Sequence, residues 1–158
     1  MIKYIIVISL LIGSVGFSQE IIHTETYENG SIDKITYHKK QVFRDEGKSI
    51  DVISPVKMEE YYKNGVLYKV ETYSSFPEPY LLSRTVWYKD GQKRYVETYK
   101  EGKRFGKWTQ WYKNGQKYIE GTFKDSKEEG IHTMWNKDGT MEKQVTFKNG
   151  KEISGKTF

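Results

Sequence analysis

From about residue 59 onward, short runs rich in aromatic and β-branched side chains alternate with polar turn pairs, most of them ending in glycine, which reads as a succession of strands. A period of two is the mark of a half-buried strand, whereas an amphipathic helix returns its apolar residues every three to four positions. Six Asx-Gly pairs punctuate residues 19–158, at Asn29-Gly30, Asn64-Gly65, Asp90-Gly91, Asn114-Gly115, Asp138-Gly139 and Asn149-Gly150, each flanked by aromatic or β-branched residues. A type I′ turn needs positive φ at both central positions, which Asn or Asp followed by Gly tolerates, so each pair is predicted to be a two-residue hairpin loop.

These runs are copies of one another. Val86-Trp87-Tyr88-Lys89-Asp90-Gly91, Gln110-Trp111-Tyr112-Lys113-Asn114-Gly115 and Met134-Trp135-Asn136-Lys137-Asp138-Gly139 share Trp, Lys and Gly at a period of 24 residues. Thr98, Thr122 and Thr146 align as well, followed by Tyr99, Phe123 and Phe147 and then by Lys100, Lys124 and Lys148. A fourth copy, Tyr61-Tyr62-Lys63-Asn64-Gly65, precedes them by 26 residues, the two additional residues being placed in Phe76-Pro77-Glu78-Pro79. A weaker fifth copy surrounds Tyr27-Glu28-Asn29-Gly30, 35 residues earlier. Eleven residues after the first turn of each regular unit comes a second, at Glu101-Gly102, Asp125-Ser126 and Asn149-Gly150, so each unit holds two strands. Residues 31–58 carry no clear copy and admit either an additional strand pair or a loop.

A two-residue loop at Asn114-Gly115 pairs Lys113 with Gln116, Tyr112 with Lys117, Trp111 with Tyr118, Gln110 with Ile119 and Trp108 with Gly121. Alternation then puts Trp111, Tyr118 and Thr122 on one face and Trp108, Tyr112, Ile119 and Phe123 on the other. In the preceding unit Trp87, Arg94, Val96 and Thr98 share the first face, with Arg94 against Trp87 in a cation-π contact, and Tyr88, Tyr95 and Tyr99 share the second. Each repeat thus adds a ring to both faces. A single-layer sheet cannot bury both unaided, so one aromatic column is left as a contact surface. Trp87, Arg94, Trp111, Tyr118 and Trp135 are its candidate residues.

Composition agrees with an all-β chain, since residues 19–158 contain no alanine and only the leucines Leu67, Leu81 and Leu82. The amino terminus has the form of a secretory signal, with Lys3 ahead of the apolar run Ile5 to Val15 and the small residues Gly16 and Ser18. Cleavage is expected after Ser18, leaving residues 19–158 as one exported domain, periplasmic or extracellular, with an irregular part at 19–58 and regular repeats at 59–158. The run is shorter than the roughly 20 residues of a spanning helix. The formal net charge of +5 falls to +4 with the loss of Lys3. With acidic residues mixed throughout, that excess implies no more than weak attraction to acidic surfaces.

The run Trp111 to Lys117, together with Gly102-Lys103-Arg104-Phe105-Gly106-Lys107-Trp108, resembles the bacterial variant of the MORN repeat (MORN_2). Strings of it resemble the YwqK-family antitoxins of toxin-antitoxin systems. The resemblance implies a single-layer, twisted or curved sheet built as an antiparallel meander of consecutive hairpins, with a role in binding rather than catalysis. An export signal and the serine of Asp125-Ser126, where a turn glycine is usual, are departures from that pattern.

Chemistry of other kinds finds little footing. No cysteine is present, which removes disulfides, thiolate metal sites and a cysteine nucleophile. His23, His38 and His132 lie on separate segments without ligand spacing, and are expected on solvated or loop positions. Ser74, Ser75 and Ser126 lack a nucleophile elbow, and Glu59-Glu60 and Glu128-Glu129 point to opposite faces of a strand. The glycines come at turn spacing rather than in a phosphate loop. No catalytic, metal or cofactor-binding residue is assigned. The expected function is a non-catalytic interaction module that binds a partner protein, conceivably as an immunity-like antitoxin. The alternative is a cell-envelope surface binding glycan or lipid through exposed rings. Nucleic acid is not expected for an exported chain.

Overall fold

A residue in the left-handed region, glycine everywhere but at Asp125-Ser126, reverses the chain at every predicted turn, but two different turns are used. The computed structural model describes residues 5–10, 19–45, 48–74 and 79–158. Among them the second turns carry positive φ at both central residues, 50° and 74° at Glu101-Gly102, 51° and 65° at Asp125-Ser126, and 52° and 79° at Asn149-Gly150. These are two-residue type I′ loops, as expected. At the other five Asx-Gly pairs only the glycine has positive φ. Gly115 N donates to Tyr112 O at 3.0 Å and Tyr112 N to Gln116 O at 2.8 Å, and the same pair of bonds recurs at Tyr27, Tyr62, Tyr88 and Asn136. Each is therefore a three-residue loop, a type I turn completed by a glycine in the left-handed region.

The Asx residue serves these loops through its side chain rather than its φ. Asn29, Asn64, Asp90, Asn114 and Asp138 each accept, on the side-chain oxygen, the backbone N–H two residues ahead, at 2.9–3.2 Å. This local bond is what short carboxylate and carboxamide side chains offer a turn.

The chain forms two compact units, divided between Tyr80 and Leu81. The first unit holds β1 (Ile5–Leu10), β2 (Gln19–Thr26), β3 (Ile32–Asp45), β4 (Lys48–Tyr61) and β5 (Leu67–Tyr73). Each strand pairs antiparallel with the next. Strand β1 lies within the expected leader, whose cleavage point after Ser18 falls outside the described residues. The described residues of 31–58 hold no additional strand pair. β3 and β4, of 14 residues each, make one long hairpin, so the excess over a repeat goes into strand length. The 75–78 segment, which takes in most of the expected insertion, lies outside the described residues.

The second unit holds β6 (Leu81–Trp87), β7 (Lys93–Lys100), β8 (Lys103–Arg104), β9 (Gly106–Trp111), β10 (Lys117–Lys124), β11 (Lys127–Trp135), β12 (Met141–Lys148) and β13 (Lys151–Thr157). It is an antiparallel meander too, with the short β8 paired beside β9 on β7.

A β-bulge follows every three-residue loop. Trp111 faces Lys117, but Gln110 faces Ile119, so Tyr118 is the extra residue. The equivalent extra residues are Asp33, Tyr68, Arg94 and Glu142. The longer loop moves the expected pairing by one position and the bulge restores it. Gln110–Ile119 and Trp108–Gly121 therefore pair as expected, while Trp111–Tyr118, Tyr112–Lys117 and Lys113–Gln116 do not.

The core of the second unit lies on one face. Val86, Ile119, Phe123 and Val145 are buried there. Rings link them in series: Trp108 meets Phe123 edge-on at 5.7 Å, and His132 stands between Phe123 and Phe147 at 5.8 and 4.9 Å. His132 is thus 3% exposed, contrary to the expected solvated position. It occupies the repeat position of Trp108, 24 residues earlier, and is a core ring. A Cβ on Gly121 would lie 2.4 Å from its Nδ1.

Two substitutions test this packing. Gly115→Val places a β-branched residue at φ +86° with Gln92 Oε1 only 2.9 Å from the new Cβ, and should cost about 1–3 kcal/mol in thermal unfolding. An unchanged melting temperature would contradict the turn. Gly121→Ala should lose a similar amount of stability, about 1–3 kcal/mol, but distinctly less in a His132→Ala background, as read by a double-mutant cycle in urea.

Candidate interaction face

The face opposite the core is built from the alternate residues of the same strands. Thr85 faces Val96, Val96 faces Thr109, Thr109 faces Glu120, Glu120 faces Thr133 and Thr133 faces Gln144, giving a row across the second unit that is polar except for Val96 and in which Thr109 and Thr133 are buried. Two residues beyond Thr85, Thr109 and Thr133 come Trp87, Trp111 and Trp135, each half-buried and each at the start of a three-residue loop. Their cross-strand partners are Lys93, Lys117 and Met141.

The five candidate residues are divided between the faces. Trp87, Trp111 and Trp135 share the polar face. Tyr118 is carried by its bulge to the core side, where its ring sits 5.0 Å from Tyr112, and Arg94 lies 5.8 Å over Tyr88 rather than against Trp87. Tyr68 with Tyr62 repeats this arrangement in the first unit at 5.0 Å. A bulge residue therefore always covers the aromatic residue of its own turn where that residue is tyrosine and the bulge residue is a ring or arginine.

Between Trp111 and Trp135 lies an open groove of about 440 Å³, lined also by Gly115, Gln116, Lys117 and Gly139. The Lys117 ammonium sits 5.5 Å from the Trp135 ring and donates to Glu120 Oε2 at 2.8 Å. Lys107 reaches the same oxygen at 3.0 Å. The hydrogen bond from Lys117, reinforced by Lys107, holds the Glu120 carboxyl below the usual carboxylate range despite partial burial. In the first unit a hollow of about 540 Å³ is lined by Thr26, Tyr27, Glu28, Asn29, Asp33 and Lys63, again beside successive turns.

The groove is held open by bonds between repeats. Tyr88 O–H donates to Trp111 O at 2.8 Å and Tyr112 O–H to Trp135 O at 2.9 Å. Tyr27 O–H makes the same bond to Tyr61 O in the first unit. The tyrosine of one turn thus fixes the strand end that carries the next tryptophan. Asn114 Nδ2 adds a bond to Lys137 O at 2.7 Å, and the Gln116 side chain rests against Gly139. In the final repeat Asn136 replaces the tyrosine and bonds within its own loop, to Thr140.

Glu59 is a carboxylate with a comparable set of partners outside the groove. In the first unit Glu59 accepts from Tyr37 and Tyr61 at 3.0 and 2.8 Å and pairs with Lys57 at 2.6 Å. Burial would raise its pKa, but these bonds together hold it below the usual range, while burial and Glu59 push the Tyr61 phenol up to about 12. Among the described residues no three His, Asp or Glu side chains are placed to hold a metal ion. No helix among them is long and apolar enough to cross a membrane.

Lys93, Gln116 and Lys117 were not singled out by sequence, because polar residues beside a turn look alike until register shows which of them face a ring. The signal was present in the spacing of Lys93 and Lys117 from Trp87 and Trp111 once a three-residue loop is assumed.

Three segments of the chain, residues 56–75, 106–125 and 128–149, match the repeat family described as MORN repeat variant. The second covers β9, its turn and β10, and the third covers nearly all of β11 and β12. No curated protein matches the chain.

The Glu120 cluster gives a pH test. Its carboxyl titrates lower in the folded chain than in the unfolded one, where it lies near about 4.3, so its contribution is present above that value and vanishes as pH falls through the folded pKa. Glu120→Gln should lower the melting temperature at pH 7 by roughly 1–4 °C, with the difference closing toward pH 3. A difference constant across that range would contradict the assignment.

Proposed function

We propose that this MORN-repeat protein is an exported, non-catalytic binding module whose partner is another protein, engaged through the tryptophan-bearing polar face of its second unit. MORN repeats are in general interaction modules, and the observation that carries the proposal here is the row Trp87, Trp111 and Trp135. These are large, rigid rings left half-exposed on a face that does not need them for its core, beside an open groove. Aromatic side chains in such a setting supply contact area at little cost in conformational entropy and are enriched at binding hot spots.

The export signal supports a partner met in the periplasm or outside the cell, and on this reading Ile5–Leu10 leaves with the leader, placing β2 at an edge of the first unit. The likeness to YwqK-family antitoxins supports a more specific version, in which the partner is an exported toxin that the module masks. A stacking surface for envelope glycans is the competing use of the same rings.

Affinity purification from the native host tests the proposal. The wild type should retain a defined protein that the Trp111→Ala/Trp135→Ala variant loses at least tenfold, with the variant's melting temperature within about 3 °C of wild type. Retention of no protein under several conditions, or binding to peptidoglycan that depends on Trp111, would contradict it.

A further inference from the structure

The ends of the second unit opposite the tryptophans carry a feature that stability alone does not favour. Lys100 faces Lys103, Lys124 faces Lys127 and Lys148 faces Lys151, each pair spanning a two-residue turn. Like charges directly opposite one another weaken a sheet, and here the arrangement occurs three times in register. All six lysines are exposed. Because Tyr99, Phe123 and Phe147 point to the core, the lysines that follow them lie on the other face, the same face as the tryptophans.

The pairs are stacked into one track. Ser126 N donates to Arg104 O and Gly150 N to Glu128 O, both at 2.9 Å, so each turn is bonded to the one before. Lys148 pairs with Glu129 at 2.7 Å and Lys100 lies 5.6 Å from the Phe105 ring. Lys103, Lys124, Lys127 and Lys151 form no ion pair with a described carboxylate.

We propose that this track receives an acidic, extended segment of the partner protein, with carboxylates at every third residue. The inference rests on the binding-module reading and adds the partner's chemistry. Successive lysine pairs are two strands apart, roughly twice 4.7–4.9 Å. A polyproline II segment advances about 9.3 Å in three residues and returns its side chain to the same side, so carboxylates so spaced meet one lysine pair after another.

The test uses the full chain and two 12-residue probe peptides of identical composition, one with Glu at every third position and one with its four Glu adjacent. The periodic peptide should bind at least fivefold more tightly, with affinity falling as salt rises from about 50 to 200 mM. Lys124→Glu should lower that affinity at least fivefold with little change in melting temperature, since the attraction gained to Lys127 is offset by the loss of the favourable field of Lys124 on Glu129. Equal binding of the two peptides, no binding of either, or tighter binding of oligo-dT or of phosphatidylglycerol vesicles would overturn the proposal. So would undiminished capture of the native partner by Lys124→Glu, a result that leaves the binding-module reading standing. Failure of the wild type to capture any protein would instead remove that reading.

Discussion

The conformation that the rest of the structure depends on is a single glycine in the left-handed region, closing a three-residue loop and followed three residues later by a bulge. A two-residue loop would give the same register from Gln110–Ile119 onward but would set Trp111 against Tyr118 and Tyr112 against Lys117 beside the turn. With the longer loop and its bulge, Trp111 faces Lys117, Tyr118 goes over to Tyr112, and the strand beyond Ile119 resumes the register that buries Ile119 and Phe123. A β-bulge commonly re-aims a side chain beside a functional site, and here it removes a tyrosine from the tryptophan face and leaves a lysine there.

Repetition turns this local choice into a surface. Neighbouring hairpins are tied at one end by tyrosine hydroxyls on strand-end carbonyls and at the other by backbone bonds between turns. Such ties matter because an isolated hairpin is marginal in water, so each unit is stable largely through its neighbours. The core face is sealed by Val86, Ile119, Phe123, His132 and Val145, which frees the other face to carry rings and charges in rows. A binding face therefore comes from the same alternation that makes the core, with tryptophans at one end of the strands and lysine pairs at the other.

Much of this was legible beforehand. The period of 24, the reversal at each Asx-Gly, two strands per unit and the pairing of Trp108 with Gly121 all follow from spacing and turn chemistry. The loop type did not, because Asn followed by Gly suits both a two-residue loop, through positive φ, and a three-residue one, through its side-chain bond. That ambiguity sent Arg94 and Tyr118 to the wrong face. His132 was misread because histidine alone suggests solvent, although its repeat position is that of Trp108. The long β3–β4 hairpin was hidden for another reason, since extra strand length leaves no turn residues to count. Partner chemistry was the least legible, as the lysines flanking a turn acquire meaning only when register sets them opposite each other on one face.

Nuclear Overhauser contacts between side chains of the third repeat test the central claim most directly. The three-residue loop with its bulge predicts contacts between the Tyr112 and Tyr118 rings and between the Trp111 ring and Lys117, with none between Trp111 and Tyr118. Strong contacts between the Trp111 and Tyr118 rings, with Tyr112 against Lys117, would mean a two-residue loop and would contradict the assignment of both faces.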